Sequence, residues 1–214
     1  MKKRNPSHSE RLDPAGRITV AQRSEPEPRG RGTSTSQKDH ERAGTMTDIR
    51  YTSIGIIHSP FGTPEGTPIQ PAAARGVPGR VEIDSAYAHG LKDLDGFSHV
   101  ILIYHCNRAK PASLRVKPFL DDEERGVFAT RSPSRPNAIG LSVVRLLQIS
   151  RNVLHVENVD IIDGTPLLDI KPYVPQFDGA YDVRIGWVQK NTGKLEHARD
   201  DGRFVSENLP EKPD

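Results

Sequence analysis

One cysteine in 214 residues, Cys106, excludes an intrachain disulfide and leaves no thiolate pair for a zinc site. The histidines His58, His89, His99, His105, His155 and His197 add no metal-ligand spacing, so no metal is expected. No apolar run reaches the roughly eighteen residues that a membrane helix needs. Aromatic residues make up 6% of the chain and include one Trp, a thin supply for stacking nucleic-acid bases. Also missing are a phosphate-binding Walker loop, a G-x-S-x-G nucleophile elbow, an H-E-x-x-H pair and a G-x-G-x-x-G turn after a strand. A nucleotide-like cofactor would therefore bind without a Rossmann loop. These absences leave a protein expected to be soluble and cytoplasmic, with Cys106, at the end of an apolar run, read as a small buried hydrophobe.

Charge is unevenly spread. The first 46 residues are Ser, Pro, Gly, Arg and Glu with few apolar side chains, so they bury too little surface to offset ordering entropy. They carry ten Lys or Arg against six Asp or Glu, leaving twenty against twenty-two in the remainder. The net charge of +2 thus belongs to this segment, and the folded part is slightly acidic. Residues 1–49 are expected to be a disordered extension, 50–190 a folded domain, and 191–214 a polar tail. Folded-type sequence begins just after Met46, which reads as an alternative start.

From Tyr51 onward, short β-rich runs alternate with Gly/Pro turns. Strands are expected over 51–58, 80–84, 99–104, 114–118, 126–129, 139–149, 153–159 and 181–188. Ser85 is expected to cap a short helical turn that Gly90 stops. Without βαβ alternation, the fold class is mainly β: a small closed or curled β-barrel with a few short helices.

Four segments hold unusual polar residues. Residues 129–144, Ala-Thr-Arg-Ser-Pro-Ser-Arg-Pro-Asn-Ala-Ile-Gly-Leu-Ser-Val-Val, place Arg131 and Arg135 among small or rigid neighbours, so each guanidinium can be held as a fixed fork. Pro136 presets its own φ and extends Arg135, Asn137 offers donors and acceptors, and Gly140 permits close backbone approach. Gln70 lies on a proline-stiffened turn. Tyr104 and His105 end an apolar strand. Residues 160–173 contain Asp160, Asp163, Asp169, Lys171 and Tyr173. Asp163-Gly164 is turn chemistry, and Asp169, Lys171 and Tyr173 share one face of an extended chain, as ligand-binding groups or as a salt-bridged surface strand.

These motifs, with Gly126-Val-Phe-Ala-Thr-Arg-Ser, Ile54-Gly-Ile-Ile-His-Ser-Pro and the Phe97-Ser-His-Val strand entry, resemble the TsaA-like family from about Ile54 to Val188. The resemblance implies a non-Rossmann β-barrel that uses S-adenosylmethionine, commonly as a homodimer, to methylate N6 of threonylcarbamoyladenosine beside the tRNA anticodon. It implies cofactor contacts at Gln70, Pro71, Ala72, Tyr104, His105, Arg131, Leu141, Asp160, Ile161, Ile162 and Asp163. Arg131 would pair with the cofactor carboxylate, the acidic residues with its hydroxyls or ammonium, and Tyr104 with its sulfonium. Asp169, His105 and Tyr173, in that order, are the expected proton acceptors. Arg135, Asn137 and Lys171 are the expected substrate contacts. The family usually has proline where this chain has Ala138, and its longer members carry an additional C-terminal domain. A small-molecule methyltransferase and a noncatalytic S-adenosylmethionine or nucleotide-binding module are the alternatives.

Overall fold

The structure, a computed structural model, describes residues 47–180 and 182–205 and the backbone of two short strands before them. The chain divides into two units, Met1–Thr52 and Ser53–Asp214. In the first, β1 (Arg11–Leu12) and β2 (Ile18–Thr19) pair antiparallel. Residues 47–49 are exposed and without regular structure. The disordered extension expected over 1–49 and the start expected at Met46 otherwise lie outside the described residues.

The second unit is built on six strands: β3 (Gly55–His58), β4 (Pro78–Ile83), β5 (His99–His105), β8 (Ile139–Ser150), β9 (Val153–Glu157) and β10 (Thr165–Pro172). They close into a barrel in the order β10-β3-β4-β9-β8-β5, and every neighbouring pair is antiparallel. The period-two alternation of the sequence determines which side chains fill it. Ile57, Val81, Ile83, Val100, Leu102, Val144, Leu146, Leu154, Val156 and Leu167 point inward and are buried. Burying each such side chain fully contributes about 1.5–3 kcal/mol. Val159 and Ile161 follow β9 and extend the same core. The long β8 serves two partners, β5 with its first half and β9 with its second, and a bulge between Leu146 and Gln148 turns it from one to the other.

Closure explains where the strand expectations fail. A closed barrel has no free edge, so the strand expected over 181–188 has nothing to pair with. Residues 182–185 are irregular, and a 3-10 helix runs over Gly186–Lys194. The strands expected at 114–118 and 126–129 shrink to a small ladder, β6 (Arg115–Val116) with β7 (Arg125–Gly126), inside the long connection between β5 and β8. A 3-10 turn, Val127–Ala129, follows it. The helical turn appears as 3-10 over Ser85–Leu91, but its cap is Asp84, whose Oδ1 accepts from the Ala86 N–H at 2.9 Å. One residue earlier, the backbone is still extended and the carboxylate can reach forward.

The polar tail expected from 191 is not loose over its described part. Phe204 is buried against Val116 and Val127 and meets Phe119 edge-on at 5.0 Å. Residues 199 and 205 form bridges to Pro68 and Ala109. Among the described residues no helix is long and apolar enough to cross a membrane.

Candidate functional site

A cavity of about 320 Å³ opens at one rim of the barrel. Antiparallel order brings four chemistry-bearing segments to that rim: the end of β5, the start of β8, residues 160–162 after β9, and the start of β10. The loop between β3 and β4 adds Thr67 to Gln70. Gln70, Tyr104, Arg131, Leu141, Asp160, Ile161 and Ile162, expected as cofactor contacts, all line this cavity, as does Arg135.

At its centre is a hydrogen-bonded series. The Ser142 hydroxyl donates to Asp160 Oδ1 at 2.7 Å and lies 3.1 Å from the Tyr104 hydroxyl. Since Ser142 has one proton and gives it to the carboxylate, Tyr104 donates to Ser142. Burial pushes the Asp160 carboxyl up to about 6, against the opposing effects of the Ser142 hydrogen bond and the Arg131 charge. Burial, then the neighbouring Asp160 charge, holds the Tyr104 phenol well above its ordinary value. Gly140 is required by this arrangement, because a Cβ there would overlap the Tyr104 ring.

The two arginines of the 129–144 loop have different environments. Arg131 is exposed and donates to Gln70 Oε1 at 3.1 Å, using one of its five N–H groups. Arg135 donates through one nitrogen, Nη2, to the carbonyls of Val127 and Thr130 at 3.1 and 3.0 Å, so that end of its guanidinium holds the loop itself. Cys106 is a cavity-wall residue, and burial pushes its thiol up to about 12, which keeps it protonated and poorly nucleophilic at neutral pH.

The other expected site residues lie outside the cavity lining. Pro71 and Ala72 form a 3-10 turn directly after Gln70. Asp163 accepts from the Ser59 N–H at 3.3 Å and pairs with His58 Nδ1 at 3.1 Å, rather than bonding the amides that follow it. Gly164 does take the positive φ, +78°. Asn137 is exposed in the loop before β8. His105, opposite Ile139, and Asp169, opposite Ile103, lie on strand positions that alternate with the inward ones. Lys171 Nζ is 2.7 Å from Asp169 Oδ2, the salt-bridged surface strand of the alternative reading. Tyr173 packs edge-on against His99, at the other end of β5 from Tyr104. Five residues of strand, about 17 Å, separate those ends.

The sequence reading missed Ser142, Asp200 and Phe204 in the lining or its hydrogen-bond series. Ser142 had a signal: it is the only hydroxyl at an inward position of β8 ahead of the bulge, and a buried hydroxyl demands a partner.

Residues 56–179 match the tRNA-methyltransferase O N-terminal domain. Over 161 residues the chain is 59% identical to a Pyrococcus abyssi protein named as a probable S-adenosyl-L-methionine-binding protein, covering 75% of this chain and 88% of that one. It is 32% identical to the Escherichia coli tRNA (adenine(37)-N6)-methyltransferase, covering 67% of this chain and 66% of that enzyme. The crystal structure of TrmO from Pseudomonas aeruginosa superposes with a TM-score of 0.56 at 38% identity, over 66% of this chain and 63% of that one. The chain therefore spans slightly less than two thirds of the length of both bacterial proteins.

Proposed function

Because the chain belongs to the tRNA-methyltransferase O N-terminal domain family, we propose that it transfers a methyl group from S-adenosylmethionine to N6 of the threonylcarbamoyladenosine beside a tRNA anticodon. The observation that carries this reading is the meeting of Gln70, Tyr104, Arg131 and Asp160, from four separate stretches of sequence, around one cavity. The donor set suits the cofactor. Arg131 offers further N–H groups to a carboxylate, Gln70 offers an amide beside it, and Ile161, Ile162 and Leu141 supply apolar surface.

When bound, S-adenosylmethionine supplies an electrophilic methyl group on a positively charged sulfur. The chain's residues then have three tasks. Arg131 and Gln70 orient the ligand as a hydrogen-bonded pair, and orientation of this kind can remove roughly 7–11 kcal/mol of barrier. Tyr104 and Ser142 hold Asp160 in place. Asp160 takes the proton that a carbamoylated N6 must lose, since a carboxylate with a pKa of about 6 is ionised at neutral pH and still basic enough to accept. A tRNA substrate puts this activity in the cytoplasm.

The chain works as a homodimer. Ile101, Ile103, Ile139, Leu141 and Val143 form a cross-strand apolar row on β5 and β8, at positions that alternate with the core residues. Ile139 and Leu141, 39% and 49% exposed, also line the cavity, so a second copy seated on this row would border the cofactor site.

The test is methyl transfer from labelled S-adenosylmethionine to total tRNA from cells lacking the modification, read by nucleoside mass spectrometry. A methylated threonylcarbamoyladenosine is expected. The archaeal relatives are named only for S-adenosylmethionine binding, which favours a binding module as the second reading. Saturable binding with no transfer to RNA or to a metabolite pool would establish that reading instead.

A further inference from the structure

The family match ends at residue 179, yet the cavity is also lined by Asp200, Phe204 and Val205. Residues 199–205 are fastened on both sides of it. On one side the Asp200 N–H donates to the Thr67 carbonyl at 2.8 Å, and the Gly66 N–H donates to the Asp200 carbonyl at 2.9 Å. On the other the Lys110 N–H donates to the Phe204 carbonyl at 2.8 Å. Both attachment points are neighbours of lining residues, so the segment crosses from the β3–β4 loop to the connection after β5. Between them Arg203 lies over the Phe119 ring, 5.1 Å from its centroid, and donates to the Pro118 carbonyl at 3.2 Å. Gly202 takes φ +82°, with the Glu65 carboxylate where a Cβ would project. A polar terminal segment without a role does not need backbone pairing at both ends and a buried aromatic anchor.

Charge indicates what this segment meets. Among the lining residues the carboxylates are Asp160 and Asp200. S-adenosylmethionine has two positive centres, the sulfonium and the ammonium, and one carboxylate, for which Arg131 is the partner assigned above. Resting on that reading of the site, we propose that residues 199–205 form a wall of the cofactor site, with Asp200 facing a positive centre of S-adenosylmethionine and Phe204 anchoring the wall. One Asp200 oxygen, Oδ1, accepts from the Gly202 N–H at 2.7 Å and fixes the side chain's direction. Burial, then the nearby Asp201 and Glu65 charges, raises the carboxyl from its ordinary value, so an arriving cation relieves an existing repulsion.

The test is calorimetric titration of the full chain and its Asp200→Asn variant with S-adenosylmethionine and with adenosine, which lacks both positive centres. Loss of a charge-assisted contact should weaken S-adenosylmethionine about tenfold and leave adenosine within about twofold. Equal affinity of the folded variant for S-adenosylmethionine, or an equal loss for both ligands, overturns the proposal. Hydrogen exchange on the unmodified chain gives an independent readout. Cofactor should slow exchange at the Gly66, Lys110 and Asp200 amides, and unchanged rates there while Arg131 and its neighbours gain protection would also overturn it. If the wild-type chain binds no S-adenosylmethionine, the methyltransferase reading itself fails, and the cofactor wall with it.

Discussion

Gly140 stands against the ring of Tyr104 so closely that a β-carbon at position 140 would overlap three ring atoms. The two residues face each other across the β5–β8 ladder, Tyr104 opposite Gly140, and the missing side chain on one strand makes room for the ring on the other. The sequence has glycine here because the neighbour is an aromatic ring; no positive φ is involved.

Gly140→Ala should therefore displace Tyr104 and break its contact with Ser142. Overpacking of this kind costs about 1–3 kcal/mol, and the displaced ring should obstruct the cavity. The expected result is a lower denaturation midpoint together with at least a tenfold loss of S-adenosylmethionine affinity. Wild-type affinity in the variant would mean that Tyr104 does not shape the site.

The buried Asp160 carboxyl makes stability depend on pH in a defined direction. Its folded-state pKa, about 6, is above the ordinary 3.8, so the folded state favours the protonated form. The associated stability is fully present below about pH 3.8 and is lost as pH rises through about 6. The full shift corresponds to about 3 kcal/mol at pH 8. Asp160→Asn removes this dependence. Denaturant unfolding should show the variant gaining on the wild type by up to about 3 kcal/mol between pH 4 and pH 8. A constant difference across that range would place the carboxyl in a more solvated setting.

Arg131 and Arg135 should separate cleanly under the same substitution. Lysine cannot reproduce a planar fork. Arg131→Lys should weaken S-adenosylmethionine about tenfold with little change in stability, because its partner is the exposed Gln70 contact. Arg135→Lys should instead lose about 1–2 kcal/mol of stability, because the shorter ammonium must replace the single nitrogen, Nη2, that serves the carbonyls of both Val127 and Thr130. The opposite pattern would exchange their roles.

Legibility in the sequence followed the kind of interaction. The alternation of Arg80-Val-Glu-Ile and the apolar run of β5 revealed barrel strands, because inward and outward positions differ in hydrophobicity. Gln70, Tyr104, Arg131 and Asp160 were reached through motif resemblance, and they line one cavity. Ser142 was hidden because a serine in a strand is unremarkable until its neighbours across the barrel are known. Phe204 was hidden because one aromatic residue in a polar segment has no period, and its anchors, Phe119, Val116 and Val127, lie far away in sequence. Asp169, Lys171 and Tyr173 share a face as expected of an extended chain, but facing cannot be turned into inside or outside without the register of β10 on β5.

That register makes the identity of the proton acceptor a decidable question. Asp169 is paired with Lys171 at 2.7 Å on a partly exposed strand, and such an ion pair is worth about 0–1 kcal/mol. Asp169→Asn should leave stability and S-adenosylmethionine affinity nearly unchanged. Asp160→Asn removes a carboxylate inside the cavity, and should lower kcat by about 10²–10⁴ and abolish the rise of kcat on the acidic limb of its pH profile. Measured with saturating cofactor, the two variants separate binding from proton transfer. If turnover collapses in Asp169→Asn and survives in Asp160→Asn, the acceptor belongs to β10 and lies outside the cavity that Asp160 lines.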